Sequence, residues 1–270
     1  KKNLSIRIEN KIIYVVDNIG FIYAINYKNK KLLWAKNYKI PFRSNLKISG
    51  NQVIAADQNN ALYLINKFNG EKIKFIPTED SVLKNDFINS LALSKDSLFY
   101  LNTYGSLYSI DNKNNRINWF INLNPSLDQN PSNIFFSNPI LVYKKKIIIS
   151  ADPYLYSINS LNGRINFKIP ITSVAQPVVS GNHIFLITKD NLLVCIDLNK
   201  GNIIYSVNII KKIANYLSTK EKKISIKIFS ILNNNIFVFL NNSYLVNFNK
   251  RGKIQEVNKL PSKLGSFPIF

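Results

Sequence analysis

Six times along this chain an apolar run meets a turn of Asn, Asp or Gly, resumes as a second run that closes on Asn or Asp, and turns again toward a further apolar stretch. The clearest copies run from Ile12 to Trp34, from Val53 to Phe75 and from Leu98 to Trp119; weaker ones run from Ile147 to Phe167, from Ile184 to Tyr205 and from Ile236 to Ile254. Aligned on Tyr23, Tyr63, Tyr108, Tyr156, Val194 and Val246, they follow one another at 40, 45, 48, 38 and 52 residues. A repeat of that length is one supersecondary unit that cannot bury its own apolar faces, so the copies must stack.

Each copy resolves into strands. In the first, Ile12-Val16 and Phe21-Asn26 flank the turn cluster Asp17-Asn18-Ile19-Gly20, and a second turn over Tyr27-Lys31 leads into Leu32-Lys36. Leu4-Ile8 supplies a fourth strand upstream, with counterparts expected at Leu46-Ser49, Leu91-Leu93, Pro139-Val142, Pro177-Val179 and Ser225-Ile231. Pro139 and Pro177 are expected at the first strand position, where a missing N–H costs no ladder bond. The pattern predicts an all-β fold: a β-propeller of four-stranded antiparallel blades, about six of them visible, with Ser266-Phe270 as the first strand of a seventh. A single domain over 1–270 is expected, incomplete at one or both ends.

Two columns of the repeat have structural work to do. Asn26, Asn66, Asp111, Asn159 and Asp197 close the third strand, where a short polar side chain can bond the backbone of its own turn. Trp34, Phe75, Trp119, Phe167 and Tyr205 sit on the fourth strand, spaced to wedge between adjacent blades. The sixth copy offers Val257 in that column, and Phe75 stands one residue late relative to Asn66.

Composition excludes several classes. No run approaches the roughly 18 apolar residues of a membrane span, and the chain opens at Lys1 without a signal-like segment, as expected of a processed or trimmed start. Cys195 is the only cysteine, so no disulfide forms within the chain, and its place in a strand suits a small core residue. The formal charge of +21 raises nucleic acid or an anionic membrane surface as partners. Lys is spread through turns and linkers together with abundant Asn and Ile, without the aromatic interleaving of a nucleic-acid site, which argues for compositional bias and against nucleic acid. His183, the only histidine, enters a strand from a turn, and there is no zinc-spaced cluster, phosphate loop or nucleophile elbow.

The stretches YAINYKNKKLLW, YSIDNKNNRINW, YSINSLNGRINF and VCIDLNKGNIIY, beginning at Tyr23, Tyr108, Tyr156 and Val194, resemble the PQQ-like propeller repeat over nearly the whole chain. That family commonly closes with eight blades and divides in function. Its quinoprotein dehydrogenases hold pyrroloquinoline quinone and calcium through carboxylate and amide oxygens, use an aspartate base, and often stack the cofactor on a disulfide between adjacent cysteines. Its BamB-type members are non-enzymatic scaffolds of the machinery that assembles outer-membrane β-barrels. The single cysteine and the 15 acidic residues, several of them at repeat turns, favour the scaffold, with no cofactor, no metal and no catalytic residue; a quinoprotein-like dehydrogenase is the alternative.

The resemblance implies a monomeric periplasmic propeller at the outer membrane, anchored as a lipoprotein through a cysteine ahead of Lys1. It also implies as partner the periplasmic domains of the central barrel-assembly component. Recognition is expected on the longer connections, at Leu127, Phe135 and Phe136 and at Ile213, Tyr216 and Leu217, the last three within a short helix predicted by the spacing of Ile210, Ile213, Ala214 and Leu217. The turns on the opposite side concentrate Lys and Arg, an arrangement that can lie against anionic lipid.

Overall fold

The computed structural model describes residues 4–80, 88–124, 135–221 and 224–262. Among them are six four-stranded antiparallel sheets, each with its strands in sequence order, the blades of a β-propeller. By contacts the chain forms two compact units: Lys1–Phe136 with Ser160–Gly163, and Ser137–Asn159 with Arg164–Phe270.

The first unit holds three sheets. They are β1 (Leu4–Glu9), β2 (Ile12–Asp17), β3 (Phe21–Asn26) and β4 (Lys31–Asn37); β5 (Lys47–Ser49), β6 (Gln52–Ala56), β7 (Leu62–Asn66) and β8 (Lys72–Ile76); and β9 (Ser90–Leu93), β10 (Ser97–Leu101), β11 (Ser106–Asp111) and β12 (Ile117–Asn122). Tyr14, Val16, Ile22, Ala24 and Trp34 pack on Val53, Ala55, Tyr63 and Ile65. Ile54, Ala56, Leu62 and Leu64 leave the other face of the same middle sheet and pack on Leu98, Tyr100, Tyr108 and Ile110. A strand covered on both faces reads as an unbroken apolar run, which is why Val53-Ala56 lacks the alternation of Ile12-Asp17. Each Val, Leu or Ile side chain so removed from water contributes about 1.5 to 3 kcal/mol.

The second unit repeats the scheme. Its sheets are β13 (Leu141–Tyr143), β14 (Lys146–Ala151), β15 (Tyr154–Asn159) and β16 (Ile165–Ile169); β17 (Val178–Ser180), β18 (His183–Ile187), β19 (Leu192–Asp197) and β20 (Ile203–Asn208); and β21 (Ile226–Leu232), β22 (Asn235–Leu240), β23 (Tyr244–Asn249) and β24 (Ile254–Lys259). Ile184, Leu186, Val194 and Ile196 face Ile148 and Leu155. Phe185, Ile187, Leu193 and Cys195 face Phe229, Val238, Val246 and Phe248, with Ile209 and Ile213 of the helix α1 (Ile209–Tyr216) closing the end of that core.

Two expectations shift in detail. Pro139 lies two residues ahead of β13 and Pro177 one ahead of β17, outside the ladders to which neither could donate. In every sheet the pairing of the third and fourth strands slips by one residue near their turn, as between Ala24 and Ile25 or Leu64 and Ile65. The expected strand Ser266-Phe270 lies outside the described residues.

Candidate functional site

Both edges of the blades are built by short polar side chains that fold back on their own turns. At the edge formed by the first-to-second and third-to-fourth strand turns, Asn26 Oδ1 accepts from Lys28 N at 3.0 Å, Asn66 Oδ1 from Phe68 N at 2.8 Å, Asp111 Oδ1 from Lys113 N at 2.8 Å and Asp197 Oδ1 from Asn199 N at 2.8 Å. Asn159 closes β15 in the same place, its N–H donating to Arg164 O at 2.8 Å. Backbone hydrogen bonds from Asn114 and Lys113 hold the Asp111 carboxyl below the usual carboxylate range, and those from Lys200 and Asn199 do the same for Asp197.

The fourth-strand column ties each blade to the next turn. Trp34 Nε1 donates to Lys67 O at 3.0 Å, Trp119 Nε1 to Ser160 O at 3.3 Å and Tyr205 Oη to Lys250 O at 2.8 Å, while Phe167 lies against Gly201. In the second blade the register moves this position from Phe75 to Lys74. Trp34 pairs with Ala24 and Trp119 with Ser109, and their counterpart Leu64 pairs with Lys74, whose Nζ donates to Asn115 O. Phe75 instead turns outward, 43% exposed, its ring edge-on to Tyr63 of its own sheet at 5.1 Å. In the sixth blade a turn one residue shorter places Glu256, not Val257, in the column, opposite Asn247.

The other edge, formed by the second-to-third strand turns and the connections between blades, is where recognition was expected. Asp17 Oδ1 accepts from Ile19 N and Phe21 N, Asp57 Oδ1 from Asn59 N and Ala61 N, and Asn102 Oδ1 from Tyr104 N and Ser106 N. In the fifth blade Thr188 Oγ1 takes this role toward Leu192 N at 3.3 Å, and Asp190 stays exposed. Sequence reasoning missed Asn102, although it stands four residues before Ser106 as Asp17 stands four before Phe21. It missed Glu79 as well: the carboxylate accepts from Asn102 Nδ2 at 2.8 Å, Ser106 Oγ at 2.7 Å and Tyr108 Oη at 2.8 Å, which pins the connection after β8 onto the third sheet. Burial pushes the Glu79 carboxyl up, but these donors outweigh it and leave it below its ordinary value. At Asp57 burial acts in the same direction and prevails, leaving the carboxyl above its ordinary value despite the hydrogen bonds it accepts from backbone N–H groups.

On this edge of the second unit lies a cavity of about 120 Å³ between α1 and the sixth blade, lined by Ile210, Ile213, Ala214, Leu217, Ile224, Leu240 and Tyr244, with Lys220 and Asn242 at its polar rim. The helix begins where Asn208 Oδ1 accepts from Lys211 N at 2.9 Å, an N-cap that the sequence reading did not identify. Ile213 is buried and forms the wall together with Leu217, itself 40% exposed; Tyr216, 51% exposed, is not a lining residue, and its Oη donates to Gln255 O at 3.4 Å. Of the residues on the earlier connection, Phe135 is buried, its N–H donating to Thr103 O at 2.9 Å, and Phe136 is 61% exposed. Leu127 lies outside the described residues.

A calcium-bound quinone would call for carboxylate and amide oxygens, and on this edge the acceptor carboxylates and amides already described have partners of their own. Asp17, Asp57 and Asn102 hold their own turns, and Glu79 is filled by neutral donors. Among the described residues no group of three or more His, Cys, Asp or Glu side chains is gathered for a metal ion. Cys195 is buried in β19, and burial pushes its thiol up to about 11, with the charge of Asp197 adding to the shift. His183 opens β18 and lies 6.1 Å from the Phe185 ring.

A family model described as outer membrane protein assembly factor BamB matches residues 6–207. The structure is similar to the crystal structure of BamB from Moraxella catarrhalis, with a TM-score of 0.77 and 12% identity over 99% of this chain and 79% of that one. It is also similar to the C-terminal WD40 domain of Sif2, with a TM-score of 0.64 and 12% identity over 97% of this chain and 73% of that one. At such identity both likenesses are likenesses of fold. Comparison with curated protein sequences finds no significant match.

Proposed function

The chain belongs to the family described as outer membrane protein assembly factor BamB, and from that membership we propose that it is a non-catalytic scaffold that binds a protein partner during outer-membrane protein assembly, working in the periplasm. The observation that carries this reading is the edge bearing α1. There an amphipathic helix buries Ile209, Ile210, Ile213 and Ala214 against the blades and leaves Tyr216 exposed at its end, and Leu217 after it, partly exposed, lines a largely apolar cavity of about 120 Å³. A short helix seated on a rigid blade, with an exposed aromatic at its end and an aliphatic residue lining a pocket after it, suits a protein-recognition hot spot. By the family resemblance, the partner is the periplasmic portion of the central barrel-assembly component. The turn and network roles of Asp17, Asp57 and Glu79 support binding over quinone chemistry.

The test is affinity capture from the native envelope with the full-length protein as bait and identification of what co-purifies. Recovery of the central barrel-assembly component is expected, with Leu217→Glu reducing it at least about tenfold. Failure of the wild-type bait to retain that component sinks the reading, as does calcium-dependent reconstitution with pyrroloquinoline quinone into a visible-absorbing protein.

A further inference from the structure

The edge of the first unit formed by its first-to-second and third-to-fourth strand turns carries a further exposed surface. In each third-to-fourth strand turn, the residue two places after the closing Asn or Asp stands at the tip. Along the unit these are Lys28, Phe68, Lys113 and Leu161, a cation and an apolar side chain in alternation. Phe68 is 63% and Leu161 66% exposed. Behind the tips, the start of each fourth strand adds an outward aliphatic beside a cation: Lys31 with Leu32, Lys72 with Ile73, and Arg116 with Ile117, the three aliphatics 58%, 47% and 46% exposed.

The turns are fixed relative to one another. Trp34 Nε1, Lys74 Nζ and Trp119 Nε1 each reach from one blade to a carbonyl of the next turn. Within blades the two turns of this edge are joined by Tyr27 N to Lys11 O, Lys67 N to Asn51 O and Asn112 N to Asp96 O. The nearby acids are largely engaged: Glu9 pairs with Lys67 at 2.7 Å, Glu71 accepts from Asn69, and Asp111 caps its own turn; Asp96 is exposed.

We propose that this edge docks on an anionic lipid bilayer, with the Phe68 and Leu161 tips entering the interface and Lys28, Lys30, Lys31, Lys72, Lys113 and Arg116 facing the headgroups. Large apolar side chains held out in water by rigid turns and interspersed with cations match a surface that is apolar inside and negative outside. Nucleic acid or an acidic protein would meet the cations but leave Phe68, Leu161 and Leu32 without a complementary phase. The inference is independent of partner capture, since it rests on none of the residues of α1 or its cavity.

Flotation of the full chain with vesicles of phosphatidylglycerol and phosphatidylethanolamine, compared with phosphatidylcholine alone, tests it. The protein is expected to float with the anionic vesicles only. Phe68→Ser should weaken partitioning about tenfold, and Lys28→Glu combined with Lys30→Glu and Lys31→Glu at least about 100-fold. Salt at 1 M, where the screening length falls to about 3 Å, should abolish flotation of the wild type with the anionic vesicles. All these positions are exposed, so unchanged circular dichroism and melting certify the variants, and Leu217→Glu should float as the wild type does. No flotation with anionic vesicles, or flotation insensitive to both sets of substitutions, overturns the proposal. So does tight binding of a single-stranded oligonucleotide or an acidic peptide by a protein that ignores vesicles.

Discussion

The smallest decision in this fold is a methyl group. Gly201, at φ +77°, sits so close to Phe167 of the preceding blade that an added Cβ would lie 2.7 Å from the ring, and Gly163 stands in the same relation to Trp119. Asn115 occupies this turn position in the third blade, also with positive φ, at 58°, because the residue reaching it is the slender Lys74 and not a ring. Gly201→Ala is therefore expected to lower stability by about 2 kcal/mol or more, through left-handed strain and displacement of the ring. Asn115→Gly should stay within about 0.5 kcal/mol of the wild type. Urea midpoints compare the two, and equal losses would show that the ring contact does not decide the residue. The closing Asn and Asp column was legible in the sequence because its hydrogen bonds span only two residues. Glu79 was not, because its partners Asn102, Ser106 and Tyr108 lie 23, 27 and 29 residues away.

At the level of strands and helix, register separates what could be read from what could not. The spacing of Ile210, Ile213, Ala214 and Leu217 predicts a helix, and one runs over Ile209–Tyr216. The aromatic column needed more, since counting along the chain picks Phe75 and Val257, whereas the paired strands put Lys74 and Glu256 there. Lys74→Trp by itself should cost about 1 to 3 kcal/mol by driving an indole into the Asn115 Cβ. Adding Asn115→Gly should recover most of that loss, with a coupling of at least about 1 kcal/mol in the double-mutant cycle. Strict additivity would mean that the ring and the glycine are not a matched pair.

The whole molecule carries a formal net charge of +21, so its folded state works against its own repulsion. Salt at about 0.5 M should raise the melting temperature at pH 7 by screening that repulsion. Glu79, Asp111 and Asp197 have folded pKa values below their ordinary ones. Each therefore contributes stability that is fully present above the unfolded carboxylate range of about 3.9 to 4.3 and is lost as pH falls through the lower folded value. Asp57, with a raised value, acts in the opposite sense and gains stability on protonation, so it partly offsets the others. The melting temperature should accordingly hold between about pH 7 and 5 and fall below about pH 4; a rise on acidification, or a fall with added salt, would contradict this balance.

The repeat period, the strand content, the turn residues and the apolar runs of the middle blades all follow from the sequence by itself, because each is set by contacts within a few residues or by the alternation that burial imposes. Which residues meet across blades was decided only by the tertiary structure: Lys74 on Asn115, Glu79 under three donors, Phe135 inward and Phe136 outward, Phe68 and Leu161 held out at turn tips. Those outcomes depend on a one-residue slip in each hairpin and on distances between segments far apart in the chain, and neither quantity is carried by local pattern.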